Sequence, residues 1–284
     1  MSLVEVSDLY RAFRVGRGTD RVVAVNNVSF TIEPGEALGL VGESGSGKST
    51  IARILVGLER ADAGSAVIDG ADRLSRPRGR AERIARARAV QMVFQDPNGS
   101  LDRRLTVREA LRRTLRLREH GSREDTERRI GDLLHSVRLT QRHADAKPHE
   151  LSGGQRQRVA IARALAASPR LVVLDEAVSA LDVSVQAQVL ELLAEIQRES
   201  GVSYLFVSHD LAVIRELCSR VLVLFRGTVV EQGEASRVLK SPQHPYSQLL
   251  LASTPGPGWD PERVVRDRMT FTQRMEVVGQ GGLR

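Results

Sequence analysis

Residues 38–50 read LGLVGESGSGKST. A short apolar run enters Gly42-Glu43-Ser44-Gly45-Ser46-Gly47-Lys48-Ser49, and the helix-patterned IARILVGL follows it. This is the pattern G-x-x-x-x-G-K-[ST] in the strand, loop and helix context that a phosphate-binding loop requires. The glycines let the chain curl so that successive N–H groups face a β-phosphate. Lys48 reaches toward the β- and γ-phosphates, and the Ser49 hydroxyl is a ligand for Mg²⁺. Thr50 closes the segment assigned to nucleotide.

Two further stretches give this loop its company. Leu151 to Leu165, LSGGQRQRVAIARAL, sets a polar glycine loop before a basic helix with apolar periodicity. Ser152 can cap that helix, Gly153 and Gly154 let a ligand approach the backbone, and the free N–H groups favour a phosphate. By itself Ser-Gly-Gly is usually a capped helix or a turn; the first loop is what lifts it above that reading. Arg170-Leu171-Val172-Val173-Leu174-Asp175-Glu176 is a continuous apolar run, as in parallel strands covered on both faces. Ligands of such sheets lie at the carboxyl ends of the strands. Asp175 is therefore aimed at Mg²⁺, directly or through water, and Glu176 at the attacking water.

Together, Gly42–Ser49, Leu151–Gln155 and Leu171–Glu176 resemble the nucleotide-binding subunit of an ABC transporter, and the resemblance runs from about Leu3 to Pro255. It implies an α/β fold: a P-loop NTPase cassette with a RecA-like core, an antiparallel β subdomain and an inserted α-helical subdomain. It also implies roles for other residues. Gln95, after the strand VQMVF, matches the Q-loop glutamine that touches Mg²⁺ and the attacking water. Ser179-Ala180-Leu181-Asp182 matches the D-loop at the dimer interface. His209, after SYLFVS, matches the switch histidine at the γ-phosphate. Phe13 falls where an aromatic ring stacks on adenine, although Tyr10 is close by. The nucleotide set is then Phe13, Gly42 to Thr50, Gln95, Ser152, Gly153, Gly154 and Gln155. Catalysis falls to Glu176, His209 and Gln95, and metal binding to Ser49, Gln95 and Asp175. Ala177 departs from the proline that many members carry after the glutamate, which leaves that loop less pre-organised.

Organisation follows the same division. LVEVSDLY and VVAVNNVSFTI, with the turn EPGE, predict an antiparallel β region against which adenine rests. Helical periodicity from Asp96 to Pro148, joined to the helix after the Ser152-Gly153-Gly154 loop, predicts a helical subdomain at about 96–168. The α/β core resumes through RLVVLDE, SYLFVSHD and RVLVLFRG. The cassette spans 1–240, a C-terminal motif 241–257 and a tail of unknown role 258–284. No motif repeats, so the chain holds one cassette, and the resemblance implies a second ATPase subunit, a paralogue or another copy, to complete each site.

Composition bears on compartment and partners. The chain has 284 residues, 41% of them hydrophobic. It lacks a run of 18 apolar residues and a basic-then-apolar leader, which predicts a cytosolic protein that does not span a membrane; the resemblance implies a peripheral place at the cytoplasmic face of the membrane. Its one cysteine, Cys218, allows no intrachain disulfide and reads as a core thiol. A net charge of +7, with RLSRPRGRAERIARARA over 73–89, raises nucleic acid as a partner. Against that, 35 acidic residues offset 42 basic ones and aromatic residues make up only 4%, too few for stacking platforms. No nucleic-acid partner is expected.

The segment Ser241-Pro242-Gln243-His244-Pro245-Tyr246 is similar to the HPY motif of peptide and nickel importer ATPases, as are VFQDPNGSL and ALDVSVQAQVL. HPY can equally be a packing element. The resemblance implies an ATPase of a peptide importer, with nickel or another small solute as the alternative cargo. Two transmembrane permease subunits and an extracytoplasmic solute-binding protein are the implied partners. A soluble ABC ATPase of translation or repair is the rival class, disfavoured by the HPY segment. A non-hydrolysing regulatory cassette is the other, disfavoured by Glu176 and His209.

Overall fold

The computed structural model describes residues 1–16, 20–117, 122–253, 259–260, 262, 265–266 and 269–271. Most of the tail assigned to 258–284 therefore lies outside the described residues. The strands are β1 (Val4–Arg14), β2 (Arg21–Ile32), β3 (Ala37–Val41), β4 (Ala63–Ile68), β5 (Ala71–Asp72), β6 (Val90–Val93), β7 (Leu171–Asp175), β8 (Ser203–Ser208), β9 (Arg220–Phe225) and β10 (Thr228–Glu234). The helices are α1 (Lys48–Leu55), α2 (Arg80–Ala89), α3 (Pro97–Ser100), α4 (Val107–Leu115), α5 (Arg123–Ser136), α6 (Gly153–Ala166), α7 (Val183–Ser200), α8 (Leu211–Leu217), α9 (Ala235–Val238) and α10 (Pro245–Ala252).

Two sheets result. One is antiparallel in the order β2-β1-β4-β5; the other has the order β10-β9-β3-β8-β7-β6. In the second, β9, β3, β8, β7 and β6 run parallel and β10 returns antiparallel at the edge. Every residue of β3, β7 and β8 is buried, as expected of parallel strands covered on both faces.

Alternate residues of those strands feed two separate cores, the consequence of a side-chain period of two. Leu38, Leu40, Leu171, Val173, Leu205 and Val207 face the antiparallel sheet and α1. Val41, Val172, Leu174, Tyr204 and Phe206 face the opposite way, into a core shared with α4, α5, α6 and α7. Ile51, Ala52, Ile54 and Leu55 bury one side of α1 between the two sheets. The helix that opens at the phosphate-binding loop is thereby clamped.

The helical region between β6 and β7 is built on capped segments. Thr106 and Glu109 form a reciprocal capping box at α4, and Ser122 caps α5, each satisfying N–H groups that a helix start leaves unpaired. Arg108 pairs with Glu127 and Asp145, and Arg112 pairs with Glu127, tying α4 to α5 and the loop beyond. The arginine-rich stretch of 73–89 contains α2, none of whose residues is buried. Cys218 is buried, as expected of a core thiol.

Candidate functional site

Strand order brings the predicted residues to one edge. The phosphate-binding loop follows β3, His209 follows β8, Asp175 ends β7 and Gln95 follows β6, and these four strands are consecutive neighbours. All four sit at the carboxyl edge of the parallel sheet, where ligands of such sheets bind.

The loop from Gly42 to Gly47 is backbone-tight. Gly42 has φ +153° and Gly47 has φ +105°. A Cβ at Gly42 would lie 2.2 Å from the Leu224 carbonyl oxygen, and one at Gly47 would lie 2.1 Å from that of Ala24. No larger residue fits either place, which accounts for glycine on both packing and conformational grounds. Gly47 stands at the start of α1 and no side chain caps that helix. The first N–H groups of α1, at Lys48, Ser49 and Thr50, have no acceptor within the helix and point to where an anion would sit.

Lys48 is 5% exposed, and its Nζ donates to the carbonyl oxygens of Gly42 (2.8 Å) and Glu43 (2.9 Å). Burial lowers its pKa, and the nearby Glu176 and Asp175 carboxylates oppose that shift. Ser49 Oγ donates to Asp175 Oδ1 at 2.9 Å. Burial raises the Asp175 pKa, and the Ser49 hydrogen bond and Arg53 pull it back. A buried ammonium and a buried carboxylate thus both lie at this edge, and burial opposes the charge of each. A polyphosphate for the one and a divalent cation for the other would offset that cost.

Glu176 adopts φ +48°, a left-handed conformation that is unusual for a non-glycine residue and is typical of strain held at functional positions. Its N–H donates to the Val207 carbonyl at 2.8 Å. The Glu176 carbonyl accepts from the Ser179 N–H (3.2 Å) and Oγ (2.9 Å). These bonds organise the turn at Ala177 that proline would otherwise stiffen. The Glu176 carboxylate lies 3.3 Å from His209 Nδ1. His209 is placed in turn by Asp210, which caps α8 through the Ala212 N–H at 2.8 Å and accepts from Gln186 Nε2 on α7 at 3.1 Å.

The other predicted residues are differently engaged. Gln95 is exposed just beyond β6, and no hydrogen bond joins it to Ser49, Asp175 or Glu176 among the described residues. Phe13 is half-buried on β1, with the Arg11 guanidinium stacked 4.5 Å from its ring centroid. Its cross-strand neighbour Val22 is 57% exposed. Asp182 caps α7, accepting from the Val185 N–H at 3.0 Å.

Ser152 caps α6 as expected. The Gln155 N–H donates to Ser152 Oγ at 3.2 Å, and the Ser152 N–H donates to Gln155 Oε1 at 2.8 Å. Each side chain thus satisfies the other residue's main-chain N–H, and Gln155 Nε2 lies 3.4 Å from His143 Nε2. Gly153 has room for a methyl group, whereas a Cβ at Gly154 would come 2.5 Å from Val185 Cγ1. Gly154 therefore has a packing reason besides ligand access, the close passage of α6 past the stiff β-branched start of α7. Gly154→Ala is expected to lower the thermal midpoint, since overpacking costs ~1–3 kcal/mol. Adding Val185→Ala should recover most of the loss. Thermal unfolding of the two variants checks this; an undisturbed midpoint in Gly154→Ala would mean that the contact is loose.

One residue at this edge is marked in the sequence only as part of the HPY segment, with no role at the site. Tyr246, 1% exposed, accepts a hydrogen bond from the Glu43 N–H at 3.0 Å. A tyrosine within the HPY segment is the available signal, but nothing local names its partner 203 positions away.

Residues 25–179 match the family described as ABC transporter. Residues 230–275 match the oligopeptide/dipeptide transporter C-terminal region. The glutathione import ATP-binding protein GsiA of Pectobacterium atrosepticum is 45% identical over 278 residues, 96% of this chain and 44% of that protein. The chain thus spans less than half the length of that relative. The oligopeptide transport ATP-binding protein AmiF of Streptococcus pneumoniae is 43% identical over 256 residues, 90% of this chain and 82% of that one. Among solved structures, the dimeric post-hydrolysis state of the ATP-binding cassette MJ0796 bound to ADP and Pi aligns with a TM-score of 0.72 at 31% identity. The alignment covers 82% of this chain and 98% of that one.

Proposed function

Because the chain belongs to the ABC transporter family, we propose that it is the ATP-hydrolysing subunit of an importer that carries peptides across the cytoplasmic membrane. The observation that carries this reading is the meeting of two pairs at neighbouring strand ends: Ser49 with Asp175 at 2.9 Å and Glu176 with His209 at 3.3 Å. Peptide cargo is supported by the match at 230–275 and by relatives named for oligopeptide and glutathione import.

The residues present fit ATP and Mg²⁺. Ser49 Oγ and the Asp175 carboxylate are adjacent hard oxygen donors, the kind of partial set that Mg²⁺ completes with phosphate oxygens and water. When bound, the ion would offset negative charge on the β- and γ-phosphates. Lys48, leaving the Gly42 and Glu43 carbonyls, contacts the terminal phosphate. Glu176 accepts the proton of the attacking water, and His209 holds that carboxylate in place. Gln95, just beyond β6, would add an oxygen donor for the ion and a partner for the water, and Phe13 would offer its ring to adenine.

Ser152, Gly153, Gly154 and Gln155 close over nucleotide held by a second cassette, whether a paralogue or another copy. Two permease subunits and an extracytoplasmic solute-binding protein complete the assembly, with this chain peripheral on its cytoplasmic side. Among the described residues no helix is long and apolar enough to cross a membrane.

The test is uptake of labelled short peptide and labelled nickel in cells lacking the gene and in complemented cells. Peptide uptake is expected to fall to background and to return with the unaltered gene only. Loss of nickel uptake alone would reassign the cargo. Unchanged uptake of both, with no redundant importer, would remove the importer reading.

A further inference from the structure

The three letters of the HPY segment have separate structural tasks, and the last of them reaches the nucleotide loop. His244 precedes α10, and its Nδ1 accepts from the Tyr246 N–H at 3.1 Å, capping the helix. Pro245 takes the first helical position, where its missing N–H costs nothing. Glu231 on β10 accepts from the N–H groups of Gln243 (2.8 Å) and His244 (3.1 Å), fixing the approach to α10. Tyr246 is thereby delivered, fully buried, to the Glu43 N–H inside the phosphate-binding loop.

The ring is held on its apolar side as firmly as the hydroxyl is on its polar side. Phe225, at the end of β9, lies 4.3 Å from the Tyr246 centroid, and Phe271 lies 5.9 Å from it and 5.4 Å from Phe225. Leu224, next to Phe225, presents the carbonyl against which Gly42 is packed. The strand end against which Gly42 packs therefore adjoins the aromatic cluster that holds Tyr246. Burial pushes the Tyr246 phenol up to about 12, so the hydroxyl is neutral at physiological pH.

We infer that Tyr246 is a positioning residue for nucleotide: it pins the Glu43 N–H and so sets the curl of Gly42–Gly47, making α10 a brace for the phosphate-binding loop. The inference rests on the ATPase reading above. Lys48 Nζ donates to the Gly42 and Glu43 carbonyls. The Tyr246 bond fixes the same peptide from its other side. When Lys48 turns to phosphate, the Tyr246 bond still restrains the Gly42–Glu43 peptide, beside the Ser46 N–H that donates to the Glu43 carbonyl at 3.2 Å.

Tyr246→Phe removes one oxygen and keeps the ring. Equilibrium ATP binding in the presence of Mg²⁺, with hydrogen–deuterium exchange over residues 42–48, tests the inference on the full chain. Roughly two- to ten-fold weaker ATP binding and faster exchange in that segment are expected, the scale of one lost hydrogen bond. Ile130→Val in α5, which trims a buried side chain remote from the loop, is the control for general destabilisation. It is expected to lower the thermal midpoint with ATP affinity and loop exchange unchanged. Parental affinity or parental exchange in Tyr246→Phe, or an equal loss of affinity in Ile130→Val, overturns the brace. Absence of ATP binding by the unaltered protein would overturn the ATPase reading as well, which separates the two failures.

Discussion

Glu176→Gln is expected to keep the fold and ATP binding while phosphate release falls by ~10²–10⁴, the usual scale of losing a general base. An amide cannot take the proton of the attacking water. The exchange is otherwise mild, because the oxygen of the introduced amide can still meet His209 where Glu176 Oε1 now lies 3.3 Å from Nδ1. The left-handed backbone at this position is held by bonds to Val207 and Ser179 that involve only main-chain atoms of residue 176. Single-turnover phosphate release in the reconstituted assembly, with the partner's own site inactivated, is the deciding measurement. A rate near that of the parent would assign the proton to another acceptor.

Lys48→Ala is expected to weaken ATP binding by roughly 10- to 100-fold, in line with the loss of a charged hydrogen bond. Lys48 is buried, and among the described residues its ammonium is satisfied only by the Gly42 and Glu43 carbonyls. Burial already disfavours its charged form, so phosphate oxygens would supply the compensation that the protein lacks. Titration with and without Mg²⁺ separates this contribution from that of Ser49, which acts through the ion. ATP binding as tight as the parent's would contradict the phosphate assignment of the loop.

What is legible in the sequence is local. The curl of Gly42–Gly47, the buried strand that ends at Asp175 and the Ser152 cap each follow from residues adjacent in the chain, and the structure has them where the pattern puts them. Convergence at one sheet edge is also predictable, because parallel strands present their carboxyl ends together. Contacts between distant segments are not legible. Periodicity says which face of an element is apolar; it does not say that Gly154 passes Val185 or that Tyr246 meets Glu43. The helix α2 is hidden for another reason. Its RAERIARARA sequence buries nothing, so no apolar stripe separates it from a solvated charge run. Phe13 and Gln95 are assigned by resemblance, and in the structure one is stacked under Arg11 and the other is exposed.

The hydrogen bond from Gln186 to Asp210 makes a mechanical unit of two loops that the chain separates. Asp210 has one carboxylate oxygen on the first turn of α8 and the other on α7. Any displacement of the first turn of α7, where Asp182 and Val185 also sit, must either break that bond or carry the peptide next to His209 with it. A load applied at 179–185 therefore reaches the histidine through protein alone, by a route that bypasses the phosphates.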